Sequence, residues 1–288
     1  MAASNLRTNP KRFPLASAPI LGAIVVLILM AVSIARHPTA LQDSGSSLLW
    51  QDFAFLLAYA LAALWAMRPR SHKLHLAIRV GSIAGSLLGA VLVANHVTEL
   101  FVPDRNFALV IAPVFVALAL FAAAGSATRE RTGSLLLAMA AGACCAMVGV
   151  LILLCIGFAL TLACEARAEL WLRDAFAASG ATDPGAYLVQ NTLQAASEGL
   201  LRMPVFALFP SLLGALANAW IARRSQTFVL VLFCSAIVGF LAGAAALWYA
   251  NSLPRAARPP FIAPGLLLVC LALSTAHPAW SALRHRRQ

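Results

Sequence analysis

Residues 129–163 read RERTGSLLLAMAAGACCAMVGVLILLCIGFALTLA, and this stretch decides the fold. Arg129, Glu130 and Arg131 mark its edge, and the next charged residue is Glu165. The hydrocarbon core of a bilayer is about 30 Å thick, and about 20 residues cross it as an α-helix. A run from 134 to 163 without a charge is therefore a transmembrane helix by length alone. Working outward, seven further stretches have the same character, at about 17–36, 48–67, 77–98, 107–125, 203–222, 227–249 and 261–280. These eight spans use most of the 288 residues and leave no room for a soluble domain of ordinary size. The composition agrees, with 61% hydrophobic residues, 11% charged and a mean hydropathy of +0.85, where soluble domains carry about 25% charged residues. Ser33-x-Ala35 imitates a signal cleavage site. The apolar core before it exceeds the 7–15 residues usual for a signal peptide, so the first span reads as retained.

Charge fixes the expected orientation. The N-terminus, 68–79, 126–133, 222–226 and the C-terminus hold fourteen of the 21 bases and one acid, Glu130. The alternate segments hold the other seven bases with nine acids. Basic segments resist translocation, so both termini are expected on the cytoplasmic side of a bacterial inner membrane. Tryptophan supplies an independent register. Trp50, Trp171 and Trp248 fall at the expected outer interface, and Trp65, Trp220 and Trp280 at the inner one, where amphipathic indoles concentrate. The net charge of +11 does not indicate a nucleic-acid partner, because the bases are dispersed over short membrane-flanking segments.

One connection is long. From about 164 to 202, between spans five and six, the sequence predicts a two-helix extracytoplasmic cap. Glu165 to Ala178 forms one amphipathic helix, stopped by Ser179-Gly180. Thr182-Asp183-Pro184 caps the next, with Pro at its first position. There Gln190, Asn191, Gln194, Ser197 and Glu198 form a polar stripe, opposite Val189, Leu193, Ala196 and Leu200. This helix runs into span six, where Pro204 and Pro210 invite a kink. A weak echo links Ile111-Ala112-Pro113 to Ile262-Ala263-Pro264, the openings of spans four and eight.

Small residues form the strongest motif. Gly81, Gly85 and Gly89 repeat every fourth residue in span three, Gly239 and Gly243 do so in span seven, and Gly142 lies between Ala138 and Ala146 in span five. Without a hydrophobic drive between helices in lipid, close backbone approach through such residues holds bundles together. They are expected to pack spans three, five and seven against one another, or to form a homo-oligomer face.

No Asp, Glu, Lys or Arg falls in the middle third of an expected span, which argues against a proton-coupled antiporter, an ion pump or a voltage sensor. Polar groups collect instead at the outer ends. Gln51 and Asp52 open span two, Asn95, His96 and Glu99 close span three, and Glu198 and Arg202 lead into span six. Together they would line an outward cavity. His-x-x-Glu with an Asp is a metal or acid–base arrangement, although spacing alone favours interfacial groups satisfied by water and headgroups. Five of the six cysteines lie within spans and no CxxC pair occurs, so neither a disulfide framework nor a zinc site is signalled. His37, His96 and His277 do not form a haem pair. Phosphate-loop, G-x-S-x-G and H-E-x-x-H signatures are missing. No cofactor or metal is expected. The expected fold is an all-α polytopic bundle of eight transmembrane helices, N-in and C-in, forming one integral membrane domain. Its partners are the lipid bilayer and either other membrane subunits or a second copy. The leading function is a membrane-embedded subunit or accessory component. The alternatives are a permease-like transporter or small-molecule handler, and an outer-face enzyme.

Overall fold

A computed structural model describes residues 14–42, 45–67, 71–102 and 107–221. Spans seven and eight lie outside the described residues, and with them Gly239, Gly243, Trp248, Trp280 and the second half of the internal echo. The helices are α1 (Pro14–Arg36), α2 (Gly45–Met67), α3 (His72–Phe101), α4 (Phe107–Thr132), α5 (Leu135–Ala163), α6 (Glu165–Ser179) and α7 (Pro184–Ile221). A short 3₁₀ turn, Pro38–Leu41, joins α1 to α2. All except α6 are long and apolar enough to cross a membrane, and the chain is a helical, membrane-embedded protein.

Local chemistry sets the helix ends. Gly133 adopts a left-handed φ of 73° and its N–H returns to the Arg129 carbonyl, which ends α4. Ser134 follows at once as the N-cap of α5, its hydroxyl accepting from Leu137 N–H at 3.4 Å. Gly180, also at φ 73°, stops α6 at the expected Ser179-Gly180 pair. Asp183 then accepts from Gly185 N–H at 3.0 Å and Ala186 N–H at 3.2 Å, opening α7 behind Pro184.

Two helix starts differ from expectation, while the second outer helix runs on into span six as expected. The second cap helix and span six are one continuous α7 of 38 residues; at 1.5 Å per residue it exceeds the thickness of a bilayer core. Neither Pro204 nor Pro210 divides it. Helix α3 begins at His72 rather than 77, so the bases at 73 and 79 ride on its first turns. Helix α2 begins at Gly45, three residues early, and this places Asp52 two turns inside it.

Helix α5 is central and packs on α1, α3, α4 and α7. Its interface with α3 is the most extensive among the described helices. There Gly81, Gly85 and Gly89 all turn toward α5; a Cβ on Gly85 would stand 2.6 Å from the Cys145 carbonyl oxygen. Gly142 does not share this seam, because it receives the Ser211 side chain of α7. One core, rich in Ala77, Ala84, Ala117, Ala124, Ala141 and Ala207, joins α3, α4, α5 and α7. A second, built on Val26, Met30, Leu56, Leu154, Phe158, Leu193 and Leu200, joins α1, α2, α5 and α7. Outside these cores Leu21, Ile28, Trp50, Leu61, Leu87, Val205, Phe206 and Phe209 are exposed. So much exposed apolar surface marks a face for lipid or for another protein.

A polar clasp gathers the α6 end of the bundle. Glu165 accepts from the His37 ring at 2.6 Å, and Arg36 reaches the Leu162 carbonyl at 3.2 Å. Gln190 on α7 donates to the carbonyls of Ala40 and Gln42, while Arg167 on α6 donates to those of Leu100 and Phe101.

Candidate functional site: a buried carboxylate between α2 and α7

Asp52, Leu56 and Tyr59 recur at i, i+4 and i+7, so they share one face of α2. Leu193, Ala196, Ser197 and Leu200 form the corresponding face of α7, and all of these except Ser197 are apolar. The two faces meet in a closed seam in which Asp52 is 0% exposed and Ser197 5%. Ser197 Oγ donates to Asp52 Oδ1 at 2.5 Å. Asp52 Oδ2 has no hydrogen-bond partner among the described residues. No Lys or Arg among them forms an ion pair with it: Arg36 is on Glu165 and Arg202 on Glu198.

A second polar link lies one turn deeper along α7. The Tyr59 hydroxyl donates to the Leu200 carbonyl at 2.7 Å within the buried interior. That carbonyl needs a donor for a covalent reason. In an α-helix it would accept from the N–H four residues on, and that residue is Pro204, which has none. Proline thus frees an acceptor and α2 supplies the missing donor. Helix α2 is held mainly by α1 and α7, and α1 and α2 expose more of their length than the other spans. The glycine- and alanine-lined α3–α4–α5–α7 assembly is the tighter part.

The other residues expected at the outer ends do not converge on this seam. Asn95, His96 and Glu99 stay together on α3, with Asn95 Nδ2 donating to Glu99 at 3.1 Å and His96 4.0 Å from the Glu99 carboxylate. The His96 ring lies edge-on to Trp171 of α6 and over Gly157 of α5, and its Nε2 has no partner among the described residues. Glu198 and Arg202 form an exposed ion pair at 2.8 Å, with Gln194 also on Glu198. The expected set is therefore divided among three places. No three His, Cys, Asp or Glu side chains gather as a metal site among the described residues.

Sequence reasoning missed Ser197 and Tyr59. Ser197 was assigned to the polar stripe of α7, but it is the member of that stripe that turns inward. Tyr59 carried a readable signal, since a proline four residues after Leu200 implies an orphaned carbonyl that a neighbouring helix must satisfy. Compared with known proteins, the chain matches no family model, no curated protein and no solved structure.

Proposed function

We propose that this multi-pass membrane protein is a permease-like handler of a small polar or charged solute, working at the α2–α7 seam. The observation that carries the reading is the Asp52 carboxylate, fully buried within a membrane-spanning helix and held by one hydroxyl. An ionisable group at the centre of a transmembrane helix costs about 2.5–3.5 kcal/mol on insertion scales and less toward its ends, and membrane proteins keep such groups where they meet a solute or ion. The position of α2 supports the same reading, because a peripheral helix on a tight core can shift without unfolding the bundle. Orientation follows the charge pattern: the termini face the cytoplasm and the α6 end faces outward across a bacterial inner membrane.

The test is extraction from the native membrane into lipid discs, followed by native mass spectrometry of the wild type and of Asp52→Asn. A chain that retains a small molecule, lost in the variant, supports the permease reading. Stoichiometric foreign chains with no small molecule overturn it and restore the accessory-subunit reading.

A further inference from the structure

We propose that the α2–α7 seam is a binding site for a monovalent alkali cation, with Asp52 and Ser197 as its ligands. The inference rests on the permease-like reading and gives the site its chemistry. A lone carboxylate in an apolar seam is neutralised by a proton or by a counter-charge. The elements around Asp52 provide no fixed one among the described residues. Helix α1 has no charged residue before Arg36, which lies at the same end of the bundle as Asp52 but sits on Glu165. On α7 the nearest charges, Glu198 and Arg202, are exposed and paired with each other. On α2 itself the deeper polar group is Tyr59, committed to the Leu200 carbonyl.

The donor set has the character of an alkali-cation site. It consists of the unpartnered Oδ2, Oδ1, and the Ser197 hydroxyl, whose lone pairs stay free while its proton points to Asp52. All are hard oxygens. Helix α7 is continuous through Pro204, so the ligand oxygens come from side chains rather than from the unwound carbonyls that bind sodium in broken helices. Here Pro204 frees the Leu200 carbonyl one turn from Ser197, and the Tyr59 hydroxyl occupies it. A single carboxylate balances one positive charge, so a divalent ion would leave the seam with an excess. Binding would draw α2 onto α7, and release would loosen the two.

The experiment uses the full chain in lipid discs. Thermal unfolding is followed in choline chloride, with choline replaced stepwise by sodium or potassium at constant ionic strength and pH. At ten times Kd the preferred ion is expected to raise the midpoint by about 2 °C. Asp52→Asn and Ser197→Ala are expected to abolish the shift, each folding in choline, while Glu198→Gln on the exposed face keeps it. A midpoint indifferent to both ions overturns the site, as does a shift that survives in Asp52→Asn. A midpoint that follows pH alone also overturns it, in favour of a proton. Solute flux that persists in choline sinks the cation site and spares the permease reading. Cation binding without any transported solute does the reverse.

Discussion

Tyr59 shows how a single side chain repairs a covalent defect in another helix. Tyr59→Phe removes the donor and leaves the proline-freed Leu200 carbonyl buried without a partner, which costs about 1–3 kcal/mol. Restoring the backbone N–H in Tyr59→Phe/Pro204→Ala is expected to recover most of that loss. A double-mutant cycle on thermal midpoints checks it, and additive effects would show that the two residues are uncoupled. Asp52 behaves in the opposite way. Asp52→Asn keeps the shape and the Ser197 hydrogen bond while removing the charge, so stability should change by less than about 1 kcal/mol or rise. A large loss of stability in that variant would mark the carboxylate as a structural prop. The sequence showed that Pro204 orphans the Leu200 carbonyl but not which side chain repairs it, and it gave no sign of the Asp52–Ser197 pair, because each partner lies about 140 positions away.

At the scale of elements, packing through small residues is local in sequence but its direction is not. The fourfold spacing of Gly81, Gly85 and Gly89 was legible, and α5 is what it faces. Gly85→Ala would set a methyl 2.6 Å from the Cys145 carbonyl and 2.7 Å from Val148 Cβ. With rigid backbone on one side, overpacking should cost about 1–3 kcal/mol, read as a lower unfolding midpoint in lipid discs. The start of α7 offers a pH-dependent counterpart. Hydrogen bonding from Thr39, then from the Ala186 backbone, holds the Asp183 carboxyl below its usual range. A carboxyl depressed in the folded state stabilises it above the unfolded pKa near 4, and that contribution is lost as pH falls through the folded value. Hydrogen exchange at 36–42 and at the first turn of α7 should therefore quicken on acidification below about pH 4. Asp183→Ala should exchange faster at neutral pH and lack that acid step.

The whole molecule carries the orientation. Ser179, exposed at the end of α6, and Arg131, exposed at the opposite end of the bundle, are suitable reporters. In a background without the native cysteines, Ser179→Cys should react with an impermeant maleimide on intact cells, and Arg131→Cys only after permeabilisation. The reverse pattern would invert the topology. The same scale explains why the exposed Leu, Val and Phe side chains are compatible with a stable fold. Lipid solvates them, and cohesion comes from close helix approach rather than from their burial.

Hydropathy and charge are sums over neighbouring residues, so the chain by itself determined the first six spans. Caps made of one or two residues, such as Gly133-Ser134 and Asp183-Pro184, were equally local. The sequence also confined the polar groups to helix ends, but it placed Asp52 at the mouth of α2. Starting α2 three residues earlier moved that carboxylate inside the bundle. Only the tertiary structure decided that Ser197 turns inward and that the expected outer cluster separates into three places. A helix presents every direction around its axis. Which direction becomes interior is settled by helices far away in the chain, and a buried polar atom acquires its meaning only from the partner they bring to it.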